Sequence, residues 1–264
     1  MDAFILQLVA SFLVGGFFVA LITIIAERFG SKIGGLIGSL PSTSFVALLF
    51  IGITSGIPAA VASAQVFPLA LIGVSIFLGL FFVFSRNGFW FGLVIATGGW
   101  LVIAVLVKLL PPVSIWVSAA ISLFIGLVVY LFIYYFFDTP STVGKKIRYS
   151  LPQWFSRAVI SGVFITLTVF VSKIFDPVIG GILAAYPVAM TLSLIIMKVK
   201  KKVEVARALS KSFLVAGPII FISYGIFVFY FYPIAGLAWG TVIAYLLTAL
   251  VSIPVYVFIR RKLR

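Results

Sequence analysis

The chain consists of long apolar runs separated by short polar breaks. Stretches of about 20 apolar residues, the length a helix needs to cross a bilayer, occur at 3–25, 33–55, 62–84, 89–109, 113–137, 153–175, 177–198, 209–231 and 234–259. Each is far longer than the roughly ten residues of a barrel strand and lacks strict alternation, so the pattern predicts helices. The opening run, MDAFILQLVASFLVGG onward to Ile25, has no basic leader and exceeds a signal-peptide core, so it reads as a retained first span. The expectation is an all-α polytopic membrane protein of nine spans with almost nothing outside the bilayer.

Sliding the chain against itself gives an ungapped match at an offset of 146 residues. Gly34-Gly35-Leu36-Ile37-Gly38-Ser39-Leu40-Pro41 falls over Gly180-Gly181-Ile182-Leu183-Ala184-Ala185-Tyr186-Pro187. Gly16 falls over Gly162, Phe18 over Phe164, Phe67 over Phe213, Ala70 over Ala216 and Gly79 over Gly225. A two-residue slip brings Gly92-Leu93 and Thr97 over Gly236-Leu237 and Thr241. Spans one to four therefore match spans six to nine. Four spans return the chain to the side it started from and the fifth crosses once, so the second copy starts from the opposite face. The predicted architecture is 4+1+4: a first repeat at 1–110, a linker with the fifth helix at 111–146, and a second, inverted repeat at 147–264.

Charge orients this arrangement. Lys and Arg number 19 against 5 Asp and Glu, a net charge of +14 that in a soluble chain would suggest nucleic acid. Sorting the connections by side places 17 of the 19 basic residues on one face, leaving only Lys108 and Lys173 on the other. Such a split is the positive-inside pattern. It predicts an integral protein of the cell (inner) membrane with the N-terminus outside and the C-terminus cytoplasmic, and it removes the need for a nucleic-acid partner. The cluster Lys198, Lys200, Lys201 and Lys202 is positioned to meet anionic lipid headgroups, and Tyr130, Tyr134, Tyr135, Phe136 and Phe137 read as an interfacial aromatic belt.

Composition narrows the chemistry. Hydrophobic residues make up 64% and charged residues 9%, with mean hydropathy +1.33. There is no Cys and no His, which excludes disulfides, thiolate or imidazole metal sites, Cys nucleophiles and His acid–base catalysis. The acids Asp2, Glu27, Asp138, Asp176 and Glu204 all lie outside the middle of a span. An enzyme is not expected, nor is a bound cofactor, a metal centre or proton coupling through an intramembrane carboxylate. Without a phosphate-binding GxxxxGK[ST] motif the chain has no signature of an ATP-driven pump.

The chemistry that remains sits at two helix breaks. In span two, GGLIGSLPSTS puts three glycines and a proline within eight residues, and proline removes a backbone donor and clashes with the preceding turn. At about 1.5 Å per residue Pro41 lies roughly 12 Å from the end of its span, near the midplane, and Pro187 reaches a similar depth from the other face. Interrupted helices at matching positions of inverted halves point to a transporter substrate site. The candidate binding residues are Ser39, Pro41, Ser42, Thr43, Ser44, Tyr186, Pro187 and Thr191, with the amides of a new half-helix after Pro41 favouring an anionic or polar ligand. Glu27 and Lys173 occupy the same repeat position with opposite charge, as gating groups at the two faces or as snorkelling interfacial charges. Asp176-Pro177 reads as a helix N-cap followed by a first-turn proline. Glycine and proline also serve close helix packing, and Ser and Thr return hydrogen bonds to their own helix, so each motif alone has a purely structural reading.

The run IGGLIGSLPSTSFVALLFIGITSG and the spacing of its neighbouring spans resemble the GlpM-like small inner-membrane proteins, single four-span units with a comparable Gly/Pro turn in the second span. The second copy departs from that pattern, with Val188-Ala189 in place of Ser42-Thr43. The resemblance implies a fused tandem of two such units and carries no activity with it. On these grounds the expected function is a secondary transporter or facilitator of a small polar or anionic solute. Na+ held by carbonyls and hydroxyls, or the solute gradient alone, would drive it. The alternatives are a channel or lipid scramblase using the same breaks, and a non-transporting membrane scaffold with a dry centre.

Overall fold

The computed structural model describes residues 3–28, 40–137, 150–200 and 203–262, which contain helices and turns but no strand. The helices are α1 (Ala3–Arg28), α2 (Ser42–Ser55), α3 (Ile57–Phe84), α4 (Phe89–Leu109), α5 (Ile115–Phe136), α6 (Leu151–Ile174), α7 (Pro177–Ala184), α8 (Val188–Val199) and α9 (Val203–Lys262). Taking α7 with α8 and α9 as one piece, seven of the described segments are long and apolar enough to cross a membrane. α2, preceded by residues outside the described set, is a shorter apolar helix.

α3 is the spine. Its most apolar stretch is 78% buried, against 28% for α1, α4 and α5, because it is enclosed by α4, α5, α7 and α9. Its fully buried face carries Ala60, Ala64, Phe67, Phe77, Leu78, Phe81 and Phe82. The helix begins at Ile57 rather than at residue 62 as the apolar run suggests. Gly56 takes φ +87°, which glycine adopts freely, and Pro58 sits in the first turn, where its missing N–H costs nothing.

α9 spans 60 residues, about 90 Å if straight, and is instead folded on itself at Gly236 (φ +75°). Tyr224 and Tyr245 have ring centroids 6.5 Å apart, although 21 residues of straight helix would separate them by about 30 Å. The two arms thus run side by side, and the turn is tight: a Cβ on Gly240 would stand 2.8 Å from the Phe231 carbonyl oxygen. The apolar runs at 209–231 and 234–259 put the boundary between the last two spans at 232–233. Pro233 remains helical and Gly236 makes the turn, because only the residue without a Cβ accepts the left-handed backbone at no cost.

Helices whose sequences match at the 146-residue offset lie antiparallel where they meet. Along α1 and α6 the contacts run in opposite order: Phe4 stacks on Phe170 at 6.2 Å, Ser11 Oγ is 3.2 Å from Thr166 Oγ1, and Trp154 Nε1 donates to Glu27 at 3.2 Å. At the crossing, a Cβ on Gly16 would lie 2.8 Å from the Ala158 oxygen and one on Gly162 would lie 2.8 Å from the Phe12 oxygen. These two contacts interchange under the 146-residue offset, as an isologous interface requires. α3 and the first arm of α9 are likewise opposed, with Phe67 against Gly225 at one level and the Phe82 carbonyl accepting from Arg207 Nε at 3.2 Å at another.

Two cations that the sequence places among the cytoplasmic connections are instead embedded. Arg157, in the second turn of α6, is 6% exposed and donates from Nη1 to Ser193 Oγ at 2.9 Å; Arg207, in α9, is 5% exposed. Each helix begins before the apolar run that defines it, so its first turns enter the packed protein together with their charges.

Candidate functional site

The turns at Pro41 and Pro187 have one geometry, and the stretch before the first of them, residues 29–39, lies outside the described residues. Pro41 has φ −75°, ψ 64° and Pro187 has φ −82°, ψ 60°, close to an inverse γ-turn at about −75°, +65°. Its hydrogen bond is made in both copies, from Ser42 N to Leu40 O and from Val188 N to Tyr186 O, each 2.8 Å. The helix that follows starts in the same way in both, from Phe45 N to Pro41 O and from Thr191 N to Pro187 O, again 2.8 Å each. Every pair is related by the 146-residue offset. Proline explains the match: its fixed φ and missing N–H suit the position just ahead of a helix, and its carbonyl serves as first acceptor of the outgoing one.

The breaks touch. α7 ends in a tightened turn, with Ala185 N bonded to Ile182 O at 3.2 Å and Tyr186 N to Leu183 O at 2.9 Å, which leaves the Ala184 carbonyl for an outside donor. Ser44 Oγ supplies it across the interface at 2.7 Å. Ser42 and Thr43 are also buried at the start of α2, whose first-turn amides have no intrahelical acceptor. Thr191 returns its hydroxyl to Pro187 O at 3.0 Å, the local bond expected of a helical threonine. Ser39 lies outside the described residues.

Two aromatic clusters flank the breaks. Tyr186 packs at 4.7 Å on Trp100, 5.3 Å on Phe164 and 6.1 Å on Phe77. On the other side, Phe45 packs at 4.6 Å on both Phe18 and Tyr245 and at 6.5 Å on Tyr224. In the first cluster Tyr186 and α6 meet α3 and α4, and in the second Phe45 of α2 and α1 meet the two arms of α9. Phe18 and Phe164 are repeat equivalents. Tyr245 Oη is buried with no hydrogen-bond partner among the described residues, the kind of orphan a polar occupant would satisfy. Tyr232 Oη is 2.9 Å from Thr241 Oγ1 at the hairpin of α9. The sequence pattern did not single out Tyr224, Tyr232 or Tyr245. The available signal was a tyrosine hydroxyl in the middle of an apolar run, where hydrocarbon offers no partner.

The remaining expected residues have plain positions. Lys173 Nζ donates to Thr54 O at 2.9 Å, placing a cation at the C-terminal end of α2, where the helix dipole favours it. Glu27 accepts from Trp154. Asp176 caps α7, accepting from Val178 N at 2.8 Å with Pro177 in the first turn, and also forms an ion pair with Lys108 at the end of α4. Lys198 is exposed and Lys200 half-buried; Lys201 and Lys202 lie outside the described residues. Among the described residues no three His, Cys, Asp or Glu side chains gather as metal ligands.

A family model described as a protein of unknown function (DUF3147) matches residues 8–110, the stretch from α1 through α4. No curated protein and no solved structure is significantly similar to the chain.

Proposed function

We propose that the protein is a secondary transporter or facilitator of a small polar or anionic solute. In this reading nine passes cross the inner membrane, N-terminus outside and C-terminus cytoplasmic. α1 to α4, with the residues before α2 completing the second pass, form one unit, α5 links, and α6 to α9 form an inverted second unit. The relation of each unit to GlpM-like four-span proteins belongs to the same proposal. The observation that carries it is the pair of identical proline turns, in antiparallel halves, joined by the bond from Ser44 to Ala184. That the family match ends at residue 110, where the first unit ends, supports treating 1–110 as a unit.

Half-helices meeting end to end supply what a polar solute needs inside hydrocarbon: the N-terminal end of α2, buried hydroxyls of Ser42, Thr43 and Ser44, and the hydroxyl of Tyr245, which has no partner among the described residues. Because each break packs against the third and fourth helices of the other unit, rocking one unit on the other exchanges the two aromatic clusters between open and closed packing. With no carboxylate in this centre, Na+ or the solute gradient drives transport.

The test is uptake by proteoliposomes from a panel of small anions, polyols and zwitterions, with and without a Na+ gradient. Saturable uptake, lost in Pro41→Ala and in Pro187→Ala, is expected; ion currents or lipid flipping in its place would assign the breaks to a channel or scramblase. No transported solute, with undiminished cellular function in both proline variants, overturns the proposal.

A further inference from the structure

We propose that Arg86, Arg207 and Lys211 form a binding site for a phosphoryl oxyanion where the ends of α3 and α5 meet the start of α9. It stands apart from the paired breaks and does not depend on the transport reading. The Arg207 side chain is 6% exposed and held on two sides. Its Nε donates to the Phe82 carbonyl at 3.2 Å, and its guanidinium carbon lies 4.7 Å from the centroid of the Phe82 ring. Nη1 reaches Glu204 at 3.1 Å, but that carboxylate is 75% exposed and screened by solvent. Nη2 is buried and has no acceptor among the described residues.

A second guanidinium converges on the same aromatic pair. Arg86 lies 4.7 Å over the Phe137 ring, and Phe137 meets Phe82 edge-on at 5.9 Å. The two arginines are close enough to repel each other. Lys211, one turn beyond Arg207, places Nζ 5.6 Å over Tyr134. Among the described residues, three cations thus face a single exposed carboxylate, one of them buried with an unused donor. A buried N–H left unpaired is unfavourable by about 1–3 kcal/mol, and a buried guanidinium usually has a full set of partners. Cation–π contacts and the bond to Phe82 orient Arg207 in advance, so its remaining donor and the Arg86 fork are set for a tetrahedral oxyanion. A phosphate oxygen there would satisfy Nη2 and offset the repulsion. The ligand is either the headgroup phosphate of an anionic lipid or a free phosphate, which share this chemistry.

The two sources are separated with full-length protein. Native mass spectrometry from phosphatidylcholine nanodiscs doped with phosphatidylglycerol measures retained anionic lipid, and thermal unfolding in neutral detergent with added inorganic phosphate measures the free anion. Retention of phosphatidylglycerol identifies the lipid; stabilisation by phosphate alone identifies the free anion. In either case Arg86→Gln, at an exposed position that leaves the core intact, and Arg207→Lys, which keeps the charge without the fork, should each weaken binding about tenfold, the loss of one charge-assisted hydrogen bond. Arg28→Gln, an exposed cation elsewhere, should leave it unchanged. Neither ligand binding, or Arg28→Gln lowering binding as much as the arginine variants, overturns the proposal.

Discussion

The crossing of α1 and α6 allows the 146-residue symmetry to be tested by energetics. Gly16→Ala would put a methyl 2.8 Å from the Ala158 oxygen, and Gly162→Ala would put one 2.8 Å from the Phe12 oxygen. An unstrained C···O contact is about 3.4 Å, and a helical carbonyl cannot swing away, so the two helices must part by roughly 0.5 Å. Parting them loosens the whole seam, from the Phe4–Phe170 stack to the Glu27–Trp154 bond. Overpacking of this kind costs about 1–3 kcal/mol, and the matching distances predict similar values for the two single variants. Because one separation relieves both clashes, the double variant should cost clearly less than the sum, a coupling readable by a double-mutant cycle. Two controls calibrate the result. Gly15→Ala meets only the Cδ1 end of Ile165, which can rotate, so it should cost less; Gly98→Ala has nothing within 4 Å and should be neutral or gain from helix propensity. The assay is reversible unfolding in mixed micelles followed by circular dichroism. Strict additivity, or a large cost at one glycine and none at the other, would refute a reciprocal crossing.

The other predictions concern single bonds. Ser44→Ala strands the Ala184 carbonyl in the interior and should destabilise by about 1–3 kcal/mol in the same unfolding assay. Gly236→Ala has steric room but forces a Cβ into a left-handed backbone, a cost of about 1–2 kcal/mol, whereas Gly236→Asn should recover part of it. At Asp176, burial raises the carboxyl pKa, but hydrogen bonds from Lys108 and the Val178 amide and the lysine charge outweigh it, so the folded value lies below the ordinary one. Its contribution is therefore full above the unfolded carboxylate pKa and is lost as pH falls through the depressed folded value. The melting temperature of the wild type should drop over that acid window, and Asp176→Asn should flatten this component of the profile.

What could be read in advance follows from where the information lies. Apolar runs fix which segments are helical, and proline fixes φ and deletes a donor wherever it stands in a helix, so the turns at Pro41 and Pro187 were announced locally. Asp176-Pro177 announced its cap in the same way. Pro233 shows the limit of that logic: a proline in a helix can be tolerated, and the reversal of α9 went to Gly236, whose positive φ is a property of the packed hairpin. Likewise, the hydroxyl of Ser44 could be assigned to a ligand or to its own helix from sequence, while its bond to Ala184 depends on a residue 140 positions away. Burial of Arg157 and Arg207 was hidden for a related reason. Lys/Arg counting assigns a charge to a side of the membrane by its distance from an apolar run, but the helix starts earlier than the run, and the depth of its first turns is set by neighbours. The aromatic clusters draw on residues from both halves, so neither half's pattern contains them. What the sequence did contain was their symmetry. The offset that aligned glycines and a proline also relates the bonds at the two prolines atom for atom, because the same residue types in the same local order make the same turn.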